Sequence, residues 1–155
     1  MQQQQKEIID AYWRGFLQQT GRPADLRYCD CYHFDNSEKW ASKLLQLVLA
    51  GQKRATSSSA HFFTAHQLPL PEVGDCSVIT DWAGTPRCIV ETTAVTILPF
   101  RDITFDICRR EGEDDDLESW RQGHIRFFTE DGRAEGYTFS WDMPVVFEDF
   151  KVVYQ

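Results

Sequence analysis

The chain has 155 residues, enough for one domain that buries roughly two thirds of its unfolded surface with no need of a covalent staple. Its 16 basic and 24 acidic residues give a formal charge of -8, which argues against general affinity for duplex nucleic acid, where phosphate neutralisation dominates binding. Five irregularly spaced cysteines, with no secretory h-region and no apolar run near 18 residues, predict reduced thiols in a cytoplasmic protein with no membrane partner.

In chain order, the glutamines at 2–5 read as a frayed terminus. Ile8, Ile9, Tyr12, Trp13, Phe16 and Leu17 then recur at helical spacing until Gly21-Arg22-Pro23 stops the pattern. Residues 1–24 are thus expected to be a helical extension packed on the domain formed by residues 25–155. Asp35 with Glu38 three residues on resembles a capping box, opening a helix that turns Trp40, Leu44, Leu47 and Val48 inward and ends at a left-handed Gly51. From Cys76 the period becomes that of strands: Cys76 to Trp82, a turn at Ala83-Gly84-Thr85-Pro86, then Arg87 to Leu98 as a hairpin partner. A short helix is expected over Asp102 to Arg110. A longer one carries Leu117, Trp120, Arg121, His124, Phe127 and Phe128, capped by Asp115. Tyr137 to Trp141 and Val145 to Tyr154 read as two closing strands. Strands then outnumber helices without regular alternation, which predicts an α+β fold with a small barrel or curled mixed sheet.

The chemistry-bearing segment is Gly51-Gln52-Lys53-Arg54-Ala55-Thr56-Ser57-Ser58-Ser59, read as a loop that leaves the second helix. Lys53 stands three residues before a run of hydroxyls. Such a lysine neutralises an anion, orients a carbonyl, or takes a proton from Thr56 or a serine where desolvation lowers its pKa. The Walker pattern fails, because it needs a glycine directly before the lysine and a strand before the loop. The run Glu111-Gly112-Glu113-Asp114-Asp115-Asp116 is either a helix entry, a hard-cation site of oxygen ligands, or the source of a carboxylate folded back onto Lys53. Cys29, Cys31 and His33 lack the second ligand pair of a structural zinc site. The residues alone assign no metal ligand and no cofactor.

The ordered set Leu47 to Ser58, Gly74-Asp75, Cys108-Arg109-Arg110-Glu111-Gly112-Glu113, Trp120, His124, Phe127-Phe128 and Val145 to Phe150 resembles the ASCH domain family in its longer form. The resemblance implies a small PUA-like β-barrel with surrounding helices and a cleft for single-stranded RNA or a modified nucleoside. Short family members are amidohydrolases of N4-acetylcytidine that use a lysine, a threonine and a glutamate; those catalytic roles fall here on Lys53, Thr56 and Glu111. Longer members are described as ribonucleases of single-stranded RNA assisted by a divalent metal, a reading in which Arg54, Ser57, Ser58 and Ser59 hold substrate. A binding module without catalysis is the third reading. The chain departs from the family where Glu113 is followed by three aspartates and where Asp35 replaces a glycine, which changes the charge of the cleft rim.

Overall fold

The computed structural model describes residues 2–155. Helix α1 (Gln2–Thr20) is followed by β1 (Asp30–Tyr32), α2 (Glu38–Leu49), β2 (Ala55–Ser59), α3 (Ala60–Ala65), β3 (Cys76–Thr80) and β4 (Pro86–Pro99); a 3-10 turn at Phe100–Asp102 then leads to α4 (Phe105–Cys108), and a second at Arg109–Glu111 precedes α5 (Leu117–Glu135) and β5 (Pro144–Tyr154). The strands form one sheet in the order β1-β3-β4-β5-β2. Only the β1–β3 pair is parallel; every other pair is antiparallel. Register shifts at Ile89/Val90 and Thr92/Ala94 bend β4 along its length, as bulges do, and the sheet curls into a half-barrel. The expected α+β class and PUA-like architecture are what the chain adopts. Among the described residues, no helix is long and apolar enough to cross a membrane, and all five cysteines are free thiols.

Three apolar clusters hold the half-barrel. Leu44, Leu45 and Val48 of α2 pack on Ile79, Val90 and Phe150. Phe100, Trp120, Phe128 and Val145 fill the side covered by α5. Trp13, Phe16 and Leu17 of α1 close over Cys76, Val78 and Ile89; each such side chain, when fully buried, contributes roughly 1.5–3 kcal/mol.

Several local expectations are corrected. The glutamines are helical rather than frayed, since glutamine is a good helix former and Gln5 also donates a side-chain hydrogen bond to the Gly84 carbonyl. Ser37, not Asp35, caps α2 by accepting the Trp40 N–H. Trp40 lies outside: the buried stripe is Ala41, Leu44, Leu45, Val48, and Trp40 instead sits under the Lys43 ammonium at 4.8 Å. Asp116, not Asp115, caps α5. Tyr137 to Trp141 is irregular rather than a strand. Its aromatic alternation serves Phe100, which Phe139 and Trp141 meet edge-on at 5.0 and 5.3 Å. With five strands against five α-helices and two 3-10 turns, strands do not outnumber helices.

Candidate active site

The site is built where α2 ends. The Gly51 N–H bonds to the Val48 carbonyl and the Gln52 N–H to the Leu47 carbonyl, the paired bonds of a Schellman cap. Gly51 supplies the left-handed φ of 78° this cap needs. The chain is thereby turned so that Lys53 enters the core and β2 begins at Ala55. The expected loop is therefore largely strand, antiparallel to β5.

Sixty residues on, the Glu111-Gly112-Glu113 segment docks against this corner. The Arg54 N–H donates to the Arg110 carbonyl at 2.9 Å, and Gln52 Nε2 donates to the Gly112 carbonyl at 2.8 Å. Gly112 has φ 71°, and a Cβ there would stand 2.3 Å from the Gln52 carbonyl oxygen. Only a glycine lets the two backbones approach this closely. Either side of it, Glu111 and Glu113 both turn toward Lys53.

Lys53 Nζ, 2 % exposed, donates to the Ala55 carbonyl at 2.8 Å and to Glu113 Oε2 at 3.0 Å, and lies 3.6 Å from Glu111 Oε1. The Phe34 ring closes one side, its centroid 5.4 Å away. Glu111 is equally buried, and its Oε2 accepts the Trp120 indole N–H at 2.5 Å. Ser57 Oγ donates to it at 3.3 Å, and His124 Nε2 stands 3.4 Å away. The imidazole is fixed by stacking on Trp120 and by its Nδ1–H, which donates to the Trp120 carbonyl at 2.9 Å. Burial alone would raise the Glu111 carboxyl. The charges of His124 and Lys53, with the hydrogen bonds from His124 and Trp120, outweigh burial and hold it well below the usual carboxylate range. For Glu113, burial is the largest influence and Lys53 opposes it, but the neighbouring Glu111 charge adds to burial and the net direction is upward. Burial depresses His124, yet the Glu111 carboxylate reverses that and raises it.

The structure brings Lys53, Glu111 and Ser57 together. Thr56 is not in that group. Successive strand residues face opposite sides, so with Ser57 on Glu111, Thr56 turns to the other face of β2, opposite Glu148. Ser58 shares the Thr56 face. Ser59 is buried, and its hydroxyl accepts the Phe62 N–H as the cap of α3. Arg54 is exposed and, with Arg109, Gln52, Glu113, Asp114 and Asp115, lines an open cleft of about 400 Å³ beside the buried group. Asp114 and Asp116 are bound to Ser119 at the start of α5. From sequence, Glu113 figures only as one of the acidic run that could hold a cation or fold back onto Lys53, and His124 carries no role. Their signal was present, since both belong to the ordered motif set, but nothing local shows them meeting Lys53.

The donor chemistry of Glu111, Glu113 and His124 suits a divalent ion, and their ligand atoms lie within 4.8 Å of one another. They do not fit one as arranged. Lys53 Nζ already lies among them, at ion-pair distance from both carboxylates.

Glu148, behind Thr56, accepts the Thr92 hydroxyl at 3.4 Å and is raised to about 7, chiefly by burial. A raised carboxyl is protonated longer in the folded chain, so stability falls as pH rises from its ordinary range to about 7. Glu148→Gln removes that ionisation, and thermal unfolding at pH 8 should show a gain of about 1–3 kcal/mol over wild type that vanishes at pH 4.

A curled half-barrel with a lysine and two carboxylates buried at the end of its second helix defines an α+β protein of the PUA-like class. The ASCH domain model matches residues 30–154, and the chain belongs to that family. The crystal structure of an ASCH domain from Lactobacillus crispatus JV V101 is similar over 100% of this chain and 97% of its own, with 30% identity and TM-score 0.85. Protein EF3133 from Enterococcus faecalis V583 is similar over 96% of this chain and 89% of its own, with 30% identity and TM-score 0.88. No curated protein matches.

Proposed function

We propose that the chain is a hydrolase of single-stranded RNA that works in the cleft between Arg54, Arg109 and Glu113. The observation that carries this is the position of Glu113, with its carboxyl on Lys53 and its chain on the cleft wall. It links the buried charges to the solvent side. A raised carboxyl is a better base near neutral pH than an ordinary one. Glu113 takes the proton of a ribose 2′-hydroxyl; O2′ attacks phosphorus, the P–O5′ bond breaks, and the leaving oxygen takes its proton from His124. Arg54 and Arg109 neutralise the phosphate oxygens. The first products are a 2′,3′-cyclic phosphate and a 5′-hydroxyl; water then attacks the cyclic phosphorus, giving its proton to His124, and O2′ leaves with the proton held by Glu113, which completes the hydrolysis and restores both groups. No step passes through a metal.

A second reading is favoured by one observation: Ser57, Lys53 and Glu111 share a face. In an N4-acetylcytidine-type amidohydrolase the Ser57 hydroxyl, rather than that of Thr56, would attack the amide carbon, its proton passing to N4 as the C–N bond breaks and cytidine leaves, and water would then release acetate from the acyl-serine.

Labelled single-stranded RNA and acetylated cytidine, incubated in parallel, separate these readings. Glu113→Gln is expected to lower kcat on RNA about 10²–10⁴-fold and to remove the acid limb of the pH-rate profile. Turnover of acetylated cytidine alone, lost in Ser57→Ala, would replace the ribonuclease by the amidohydrolase. RNA binding without turnover of either substrate would leave a recognition module.

A further inference from the structure

We infer that the Lys53 ammonium is the resident cation of this centre, standing where a divalent metal would otherwise be bound, and that the chain's Glu111, Glu113 and His124 become a metal site when that charge is removed. The inference deepens the proposed site but does not depend on its being hydrolytic.

The three ligand atoms are of the kinds zinc and manganese take, two carboxylate oxygens and an imidazole nitrogen. His124 is oriented as metal-bound histidines are: Nδ1–H is held by the Trp120 carbonyl, which leaves Nε2 facing Glu111. Glu111 is held in turn by the Trp120 indole and the Ser57 hydroxyl. Ligands supported in this way form a built cage rather than a loose acidic patch. Its occupant is the Lys53 ammonium. Lys53 Nζ has 2 % exposure and lies 3.0 Å from Glu113 Oε2 and 3.6 Å from Glu111 Oε1. The spacing is that of an ammonium, whereas a zinc ion would draw its oxygens to about 2.0–2.2 Å. A divalent ion at bonding distance from both carboxylates would stand against the ammonium itself, and the lysine has little room to withdraw, with the Phe34 ring beside it and the Ala55 carbonyl holding Nζ. Ammonium and metal therefore exclude one another.

The decisive comparison is Lys53→Met against the full-length wild type, with Zn²⁺ and Mn²⁺ as probes and calorimetry as readout. The variant is expected to bind Zn²⁺ at least about 100-fold more tightly than wild type, and its Tm should rise with added zinc. Adding His124→Ala to Lys53→Met should abolish the gain; survival of tight binding would place the metal elsewhere and overturn the inference. Equal affinities in wild type and Lys53→Met would overturn it as well. If Lys53→Met does not fold, wild type decides alone: Mn²⁺ should leave the Gly112 amide and His124 ring resonances sharp, and selective broadening of both would show the metal beside a retained lysine. RNA cleavage that fails in every protein removes the hydrolase without touching this result, which is read from metal binding.

Discussion

Glu111→Ala should lower folding stability by about 3–5 kcal/mol, because it breaks a buried pair from one side and leaves the other partner uncompensated. The stranded groups are Lys53 Nζ, His124, the Trp120 indole N–H and the Ser57 hydroxyl. None has another carboxylate as near except Lys53, which keeps Glu113. The pH dependence follows from the shifts. Glu111 is lowered in the folded chain, so its contribution is present above its ordinary carboxyl range and is lost as pH falls through the folded value. His124 is raised, so its contribution is present below the ordinary imidazole value of about 6.5 and is lost as pH rises through the folded one. Added to the fall that Glu148 imposes up to about pH 7, wild type should then lose stability on an acid flank through Glu111 and on an alkaline flank through His124, and Glu111→Ala should flatten these two losses while leaving the Glu148 slope. Denaturant unfolding from pH 3 to 9 reads this directly. A variant within about 1 kcal/mol of wild type, with both flanks retained, would show that the network does not hold the fold.

How much of this was legible in the sequence depended on distance along the chain. The helix end at Gly51 and the hairpin from Cys76 are local events, each signalled by a few adjacent residues, and the structure has both. Trp40 departs from its expected inward place because helical spacing gives two overlapping stripes, and only the packing of Ala41 and Leu45 selects between them. The Thr-Ser-Ser-Ser run carries no apolar alternation, so nothing marked it as a strand or said which hydroxyl faces inward. That choice is made by pairing with β5, about ninety residues on. Lys53 and Arg54 stand out by residue type and order, whereas Glu111 is separated from the rest of the acidic run only by the family resemblance. Which carboxylates of the run reach Lys53, and that His124 joins them, is not legible, because the meeting is closed by the contact between Gly112 and the Gln52 backbone.

Gly112→Ala tests that contact with the smallest possible change. The residue has φ 71°, a region that costs an L-residue roughly 1–2 kcal/mol. The added methyl would also stand 2.3 Å from the Gln52 carbonyl oxygen, 2.7 Å from its carbon and 3.0 Å from the Lys53 nitrogen. These are backbone atoms, so no side chain can swing away to relieve the clash, and overpacking of this kind costs a further 1–3 kcal/mol or so. A total of about 2–5 kcal/mol is expected, read as a lower midpoint in urea with little change in slope. In the proposed ribonuclease, activity should suffer beyond stability. If the 111–113 segment moves back from Gln52 by even about 1 Å, Glu113 leaves hydrogen-bond range of Lys53, and misplacement on that scale costs catalysis on the order of 100-fold. A chain that tolerates alanine with unchanged midpoint would mean that the segment is free to shift, and the buried lysine would then owe its position to Phe34 and the Ala55 carbonyl rather than to the docked carboxylates.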